Sequence, residues 1–350
     1  MRSEIFEQPD VVARTLSREA SAAKKLGALL RERRVRFATI AARGTSDNAA
    51  LLGKYCFEWG LGVPVALAAP SVTTLYHRTP ASRESLVLGI SQSGQSPDVV
   101  ECVRDARKAG ALTIAITNRA DSPLARTAAH ALLCHAGEER SVAATKTFAA
   151  EAACLYALAA SWMGGPKGRA IQVRLEKSPE DLRAALETDA AIEDMARAHR
   201  GMDRCFVLGR GFMFPVVLET ALKLKESAGI FAEGMSGADF LHGPVTLALR
   251  QARDPKAAAF LLAPRDAGLR FMTELARTLK RSRARLLGFS AKRGLIGGRG
   301  EEIFFPRDVP GWLAPLPWAV LAQLTAHRFA LQKGLDPDRP AGLEKVTRTL

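Results

Sequence analysis

Two groups of residues in this 350-residue chain have the types and spacing needed for chemistry on a small anionic molecule. The first is a loop of small hydroxylated residues between Ser91 and Ser96, which follows an apolar run and precedes a helical pattern. The second comprises Lys223, Glu226 and His242, in the other half of the chain. Hydroxyl and N–H groups bind phosphate, whereas carboxylates and imidazoles move protons.

The segment from Ser91 to Asp98 has the composition of a phosphate-binding turn. Ser96 is a good N-cap and Pro97 fits the first helical position, so the helix start is well defined. A parallel strand that ends in such a loop presents N–H groups and hydroxyls to an anion. A plain strand-to-helix turn has similar composition, and this alternative stays open here. The predicted phosphate ligands are Ser91, Gln92, Ser93 and Ser96.

A second hydroxyl-bearing loop, from Arg43 to Asp47, ends the first predicted strand. Carboxyl ends of parallel strands share one sheet edge, so we expect Thr45 and Ser46 to lie beside the first loop. The corresponding loops in the second half, at Arg210 and Pro264, lack the serines. Only the first half is therefore expected to bind phosphate.

Glu219, Lys223 and Glu226 recur at i, i+4 and i+7 on a predicted helix that Pro215 can begin. These side chains share one helix face. A solvated stripe of salt-bridged charges is the commoner explanation for such a pattern. The stretch that follows is rich in glycine and carries His242. It is too irregular for a helix or strand with a purely structural role, which indicates a functional loop.

Short apolar runs alternate with helical patterns along the chain, which predicts parallel sheets covered by helices on both faces. Segments of the first half recur in the second at nearly constant offset: Phe37 to Gly44 matches Arg204 to Gly211, 167 residues later. The fold class expected is therefore α/β, with two doubly wound parallel-sheet domains of flavodoxin-like type, related by internal duplication. Two further pairs of segments match between the halves: 86–90 with 259–263, and 111–117 with 284–290. The strands of the first half are predicted at 35–41, 63–68, 86–91, 111–117 and 130–135.

The expected organisation is an N-terminal helical segment at 1–30, a phosphate-binding domain at 31–190, a second domain at 191–338 and a tail at 339–350. The tail carries Lys345. From composition alone, a lysine in a short polar tail is expected to be exposed to solvent and to have no specific role.

Composition excludes several classes of protein. Hydrophobic residues at 47% and charged residues at 25% are typical of a globular protein. The longest apolar stretch, Phe148 to Met163, is interrupted by Glu151 and is too short to cross a bilayer. The N-terminus lacks a secretory signal pattern and the five cysteines have no CxxC spacing, so we expect reduced cysteines and a cytoplasmic location.

The net charge of +14 raises the possibility of a nucleic-acid surface. The densest basic runs, Arg31 to Arg36 and Lys280 to Arg285, each end a helical pattern, where cations complement the helix dipole. Aromatic residues amount to only 6%, so stacking platforms for bases are not expected. We expect no nucleic-acid and no membrane partner.

Taken together, the two loops and the duplicated layout resemble the double sugar-isomerase (SIS) domain family. Other segments are similar to the isomerase half of glutamine:fructose-6-phosphate amidotransferase (glucosamine-6-phosphate synthase), and the resemblance covers essentially the whole chain. The segments that carry it are Glu4 to Pro9, Gly44 to Ser46, Ser91 to Ser96, Leu222 to Glu226, His242 to Pro244 and Lys345.

The resemblance implies a role for each matching residue. Glu226 moves a proton between C1 and C2 of an open-chain sugar, and Lys223 assists this proton transfer. His242 opens the sugar ring; in the synthase the matching histidine comes from the neighbouring subunit. Lys345 forms a Schiff base with the open-chain ketose, and Val142 lies in a segment that contacts substrate. The resemblance also implies a small phosphorylated sugar as ligand, a homodimer, and no metal or organic cofactor.

The chain departs from the family pattern at three positions: Ala144 stands where serine is frequent, Gln95 where the synthase commonly has Glu, and Asp239 where Glu is frequent. The synthase takes ammonia from a separate glutaminase domain with an N-terminal cysteine, which this sequence does not show. We therefore expect the reverse reaction, glucosamine-6-phosphate deamination to fructose 6-phosphate and ammonia.

Four alternatives stay open. The substrate could be a galactosamine or tagatose phosphate, or the enzyme could be a deglycase of fructosamine phosphates. The chain could also act as a synthase-like isomerase without the glutaminase. A non-catalytic sugar-phosphate sensor is a different class, but such regulators usually carry a helix-turn-helix segment, for which too few residues precede the first strand.

Overall fold

The computed structural model describes residues 1–297 and 300–345. By their contacts, the described residues form two compact units, each with a five-stranded sheet. The N-terminal unit contains Glu7–Glu139 and Ala144–Pro179, together with Glu344 and Lys345. The C-terminal unit contains Met1–Phe6, Arg140–Ala143 and Glu180–Leu343.

The sheet of the N-terminal unit has the order β2-β1-β3-β4-β5, and its neighbouring strands are parallel. Its central strands are buried along their whole length, which explains their unbroken apolar sequences. Both the flavodoxin-like order and the strand positions agree with the sequence prediction, to within two residues at each strand end. The strands are β1 (Phe37–Ala41), β2 (Val65–Leu67), β3 (Ser85–Ile90), β4 (Leu112–Thr117) and β5 (His130–Leu133).

The sheet of the C-terminal unit has the order β10-β9-β8-β6-β7, again with parallel neighbours. Numbered from its own first strand, this is the same topology as the first sheet. The three sequence matches fall on β1 and β6, on β3 and β8, and on β4 and β9, which confirms the predicted duplication. The strands are β6 (Arg204–Gly209), β7 (Phe231–Ser236), β8 (Ala257–Ala263), β9 (Leu286–Ser290) and β10 (Glu302–Phe304).

Helices cover the sheets and connect their strands. The two predicted basic runs do lie at helix ends, after α2 and α14. A short 3₁₀ turn, Gly211–Met213, precedes α11. In chain order the helices are α1 (Arg2–Phe6), α2 (Gln8–Glu32), α3 (Thr45–Leu61), α4 (Pro70–Thr74), α5 (Pro97–Lys108), α6 (Pro123–Thr127), α7 (Lys146–Met163), α8 (Gly165–Glu176), α9 (Ser178–Leu186), α10 (Asp189–Ala198), α11 (Phe214–Ala228), α12 (Gly237–Leu241), α13 (Val245–Arg250), α14 (Leu269–Arg281) and α15 (Pro315–Gln332).

The core of the N-terminal unit depends on close packing of α2 against α7. A Cβ at Gly27 would lie 2.3 Å from the main-chain carbon of Ser161, so only glycine permits this approach. Beyond Gly27, the Arg31 guanidinium donates to the carbonyl of Trp162 at 2.9 Å. Helix α7 is buried from Lys146 to Trp162, although none of the helices among the described residues is both long and apolar enough to cross a membrane.

His327 lies in α15, a largely buried helix of the C-terminal unit, and is only 5% exposed. Burial, with the adjacent Arg328 guanidinium, lowers the pKa of His327 to about 4. The unfolded chain has an ordinary histidine pKa near 6.5, so between these values the unfolded state binds a proton that the folded state does not. Stability is therefore complete above pH 6.5 and falls as the pH drops toward 4.

We expect the buried imidazole to cost about 2 kcal/mol of stability between pH 7 and pH 5, from the linkage of its pKa to folding. The substitution His327→Leu should remove this part of the pH dependence of stability. Urea unfolding at pH 7 and at pH 5 measures the free energy of unfolding of both proteins. His130 is exposed on β5, so His130→Ala is the control and should keep the wild-type dependence. An unchanged pH dependence in His327→Leu would contradict the assignment.

Candidate active site

The predicted phosphate loop is a compact turn that its own hydroxyl groups hold in shape. Ser91 directly follows β3, and its Oγ accepts the N–H of Gly94 at 3.2 Å and lies 3.2 Å from Ser96 Oγ. Ser93 Oγ accepts the N–H of Gln95 at 3.2 Å. Gly94 has a φ of 62°, the left-handed region that favours glycine. Hydrogen bonds within the loop itself therefore determine its conformation.

Several donors of this loop are available to an anion. Ser96 is the N-cap of α5 and Pro97 follows at the helix start, as predicted, but the Ser96 hydroxyl makes no capping hydrogen bond. The main-chain N–H groups of Gln92, Ser93 and Ser96 have no acceptor among the described residues. N–H groups at a helix N-terminus bind phosphate, so this geometry favours an anion site over a plain turn.

An ion pair ties the two hydroxyl-bearing loops of the sheet edge together. Arg43, which follows β1, donates through Nε to Asp98 Oδ2 at 2.6 Å. Asp98 lies in the first turn of α5 and is buried, whereas the Arg43 side chain is half exposed. A buried carboxylate is stable only when it is paired and hydrogen-bonded. The pair therefore fixes both loops and adds a cation beside the phosphate loop.

Thr45 and Ser46 form the start of α3, as expected from the sequence. Thr45 is half-buried, whereas Ser46 is buried and donates its hydroxyl proton to Glu151 Oε1 at 2.8 Å. Glu151 is fully buried on α7, so Ser46 provides one of its hydrogen bonds. The Ser46 hydroxyl thus holds the start of α3 against α7 in this structure.

A cavity of about 730 Å³ opens beside the phosphate loop within the N-terminal unit. It brings together three predicted site residues, Gln92, Ser93 and Lys345, but Thr45, Ser46, Ser91 and Ser96 do not line it. The Lys345 side chain is only 25% exposed and forms an ion pair with Glu139 at 3.1 Å, so it is not a solvated terminus. The full lining is Arg14, Arg18, Gln92, Ser93, Gln95, Asn118, Arg119, His135, Gly137, Glu138, Glu139 and Lys345.

In the C-terminal unit, α11 carries a buried group of acid and base side chains. Glu219 and Lys223 are 0% exposed, and the Glu226 side chain is 24% exposed. The Lys223 ammonium lies 2.7 Å from Glu226 Oε2 and 3.6 Å from Glu219 Oε1. The solvated-stripe alternative is therefore wrong, because two of the three side chains have no contact with water.

This arrangement suits proton transfer. Inside a protein, an ammonium group between two carboxylates is stable because each charge has an opposite neighbour. Of the two carboxylates, only Glu226 reaches the surface, so it is the one that can meet a substrate. Lys223 holds Glu226 in place through a charge-assisted hydrogen bond.

The two remaining predicted site residues are His242 and Val142. His242 ends α12 and is exposed, and among the described residues its ring makes no hydrogen bond, although its main-chain N–H donates to Asp239 O at 3.0 Å. Val142 is half-buried in the C-terminal unit, where its N–H donates to Asp338 O at 3.1 Å. The exposed imidazole of His242 is available to a molecule outside its own unit.

The second copy of the sheet edge has lost the features of the phosphate site. Its loop after β8 carries Asp266, whose Oδ1 accepts the N–H of Gly268 at 2.8 Å. Burial raises the pKa of Asp266. Nearby, the Arg210 guanidinium stacks on the Phe271 ring at 4.3 Å. A carboxyl group thus occupies the turn where the first copy has hydroxyls, which disfavours phosphate.

Sequence reasoning missed two residues that shape the site, Glu139 and Asp98. Asp98 could have been found, since an acidic residue in the first turn of α5 is a common feature of helix starts. Nothing in the sequence around Glu139 signals its role, because its partners Thr145, Thr147 and Lys345 are assembled only by folding.

Residues 29–161 match the family model of the SIS domain. A glutamine–fructose-6-phosphate aminotransferase (isomerizing) of Methanothermobacter thermautotrophicus is 35% identical over 349 residues, 99% of this chain and 56% of that protein. The chain thus spans little more than half the length of this curated relative. A crystal structure from Silicibacter pomeroyi, assigned as a phosphosugar isomerase, is 36% identical with a TM-score of 0.85, covering 97% of this chain and 99% of that one.

The C-terminal domain of glucosamine-fructose-6-phosphate aminotransferase from Francisella tularensis has a TM-score of 0.85 at 26% identity, covering 96% of this chain and 97% of that one. The fold and the site define a protein with two sugar-isomerase domains. This chain belongs to the SIS-domain family of phosphosugar isomerases.

Gly94 provides a direct test of the phosphate loop. A Cβ there would lie 2.2 Å from Ser122 Oγ and 2.9 Å from Thr117 Oγ1, so Gly94→Ala must displace the loop. We expect its affinity for a hexose 6-phosphate to fall by at least about tenfold, or 1.4 kcal/mol, measured by isothermal titration calorimetry. The matched control is Gly62→Ala, since Gly62 has a similar φ of 66° but nothing within 4 Å of its Cβ. Equal affinity for both variants would contradict the site.

The buried charges on α11 predict a stability effect. Lys223→Met leaves Glu219 and Glu226 on one helix face with no ammonium between them. Removing one member of a buried charge group typically costs about 3 to 5 kcal/mol, measurable by urea unfolding at pH 7.5. The double variant Glu219→Gln/Lys223→Met removes one carboxylate as well and should recover much of the loss. If Lys223→Met left the free energy of unfolding unchanged, the three charges would not be electrostatically coupled.

Proposed function

We propose that the protein is a glucosamine-6-phosphate deaminase, which converts glucosamine 6-phosphate and water to fructose 6-phosphate and ammonia. The observation that carries the proposal is the pairing of Lys223 with the partly exposed Glu226 on α11, in a chain that also carries an anion-binding loop. The named relatives handle fructose 6-phosphate and glucosamine, which makes a hexose 6-phosphate the natural substrate class.

In the proposed reaction the phosphate loop holds the phosphate and His242 assists opening of the sugar ring. Glu226 then removes the proton from C2 of the open-chain amino aldehyde and delivers it to C1. A second proton passes from the amine nitrogen to the C1 oxygen, so the aldehyde becomes a C1 hydroxymethyl group and the C2 amine becomes an imine. Water adds to C2, ammonia leaves, and the ketone of fructose 6-phosphate remains. The ammonium of Lys223 stabilises the negative charge that develops during the proton transfer.

The proposed direction needs no co-substrate other than water. The acid and base groups described above act on the amino sugar, and water supplies the oxygen of the ketone.

A specific observation favours one second candidate, a deglycase of fructosamine phosphates. Arg14 and Arg18 project from successive turns of α2 into the cavity, and Arg119 lines it as well. Guanidinium groups bind carboxylates. A substrate with an amino acid attached to the sugar would carry a carboxylate that these arginines could meet.

The decisive experiment incubates the protein with glucosamine 6-phosphate and measures ammonia release. The matched control is Glu226→Gln, which keeps the size of the side chain but cannot accept the proton. We expect this variant to lose roughly 10²- to 10⁴-fold in kcat, the range for loss of a general base, with sugar phosphate binding retained.

The same assays are carried out with three other substrates: galactosamine 6-phosphate, tagatose 6-phosphate and a fructosamine 6-phosphate. Ammonia release no faster than that of Glu226→Gln would defeat the deaminase. Turnover of the fructosamine phosphate alone would establish the deglycase, and binding without turnover of any sugar would indicate a sensor.

A further inference from the structure

Glu139 is a buried carboxylate fixed at the start of α7. Its Oε1 accepts the N–H groups of Thr145 at 2.9 Å and Thr147 at 3.1 Å, and its Oε2 accepts the Thr147 hydroxyl at 2.7 Å. The Glu139 side chain is 0% exposed. Main-chain N–H groups at a helix N-terminus favour a carboxylate there, through both hydrogen bonds and the helix dipole. Its position is therefore determined by α7 rather than by the tail.

The same carboxylate holds the tail of the chain. Glu139 Oε2 accepts a hydrogen bond from Lys345 Nζ at 3.1 Å. Residues up to Leu343 pack in the C-terminal unit, whereas Glu344 and Lys345 pack in the N-terminal unit. Lys345 therefore reaches the cavity on a short extension of chain, and an ion pair to a rigid, buried acceptor fixes the end of its side chain.

The cavity places this amine beside the phosphate loop. Gln92 and Ser93 line the same cavity as Glu139 and Lys345. A phosphosugar held at the loop would therefore lie near the ε-amino group. A long lysine side chain loses about 2 kcal/mol of rotamer entropy when it is ordered, so an amine that is already oriented approaches the substrate at a lower cost.

We propose that Glu139 is a positioning residue that anchors the tail and directs the Lys345 amine into the sugar-phosphate cavity. The catalytic part of this inference rests on the proposed function, together with the Schiff base that the family resemblance implies for Lys345. The anchoring part does not, because it concerns only contacts within the N-terminal unit. The two parts can therefore fail separately.

The test compares variants that separate the helix cap from the ion pair. Glu139→Gln keeps an oxygen that can accept from Thr145 and Thr147 but removes the charge that holds Lys345. Thr147→Val is the matched control, since it removes one hydrogen bond to Glu139 and leaves the ion pair in place. Lys345→Arg keeps a cation that can reach Glu139 but removes the primary amine.

Two measurements are made on each variant: hydrogen exchange of the tail peptide spanning 335–345, followed by mass spectrometry, and steady-state kinetics with glucosamine 6-phosphate. In Glu139→Gln we expect at least about tenfold faster exchange of the tail and at least about tenfold lower kcat, with KM within about twofold of wild type. Thr147→Val should stay near wild type in both measurements. Lys345→Arg should keep the protected tail and lose turnover.

Wild-type exchange in Glu139→Gln would overturn the anchoring role. Faster exchange with unchanged kcat would overturn the positioning role. An active Lys345→Arg would defeat the amine chemistry of the proposed function, and the exchange data would still decide whether Glu139 anchors the tail.

Discussion

Parallel strands of one sheet all end at the same edge, and this geometric constraint determines how the two hydroxyl-bearing loops of the N-terminal unit are arranged. The loops after β1 and β3 are separated by more than forty residues in sequence, yet β1 and β3 are hydrogen-bonded neighbours. Their carboxyl ends therefore lie side by side, where Arg43 can reach Asp98. Neither loop alone would provide both the N–H groups and the cation that a phosphate monoester requires.

Buried charge is the second theme of the structure. Asp98, Glu139, Glu151 and Lys223 are all shielded from water, and each makes a hydrogen bond or ion pair to a named partner. Such groups contribute little to stability by themselves, but loss of a partner is costly. They therefore hold their surroundings in one arrangement, which is the property that a site for proton transfer needs. Asp98 and Glu139 lie beside the phosphate loop and its cavity, and Lys223 holds Glu226.

Duplication explains why the two halves share a topology but differ in function. The sheets have the same strand order, but the first keeps serines at its edge and the second has Asp266 there. The second copy instead carries the acid and base side chains on α11, the helix that follows β6. In the proposed function one copy binds the anion and the other transfers the proton, a division that a gene duplication permits without a change of fold.

The sequence by itself determined the fold class, the duplication, the turn between β3 and α5, and the helix that carries Glu226. These features depend on local patterns: apolar periodicity, turn residues and helix-start signals. The sequence could not decide whether the charges on α11 were solvated, since i, i+4 spacing is equally compatible with a surface stripe and a buried cluster. The role of Glu139, the engagement of Ser46 with Glu151 and the contact of Lys345 with the cavity were decided only by tertiary structure. The physical reason is that each joins residues distant in sequence, and whether a polar side chain is buried and paired depends on what packs around it, which no local pattern encodes.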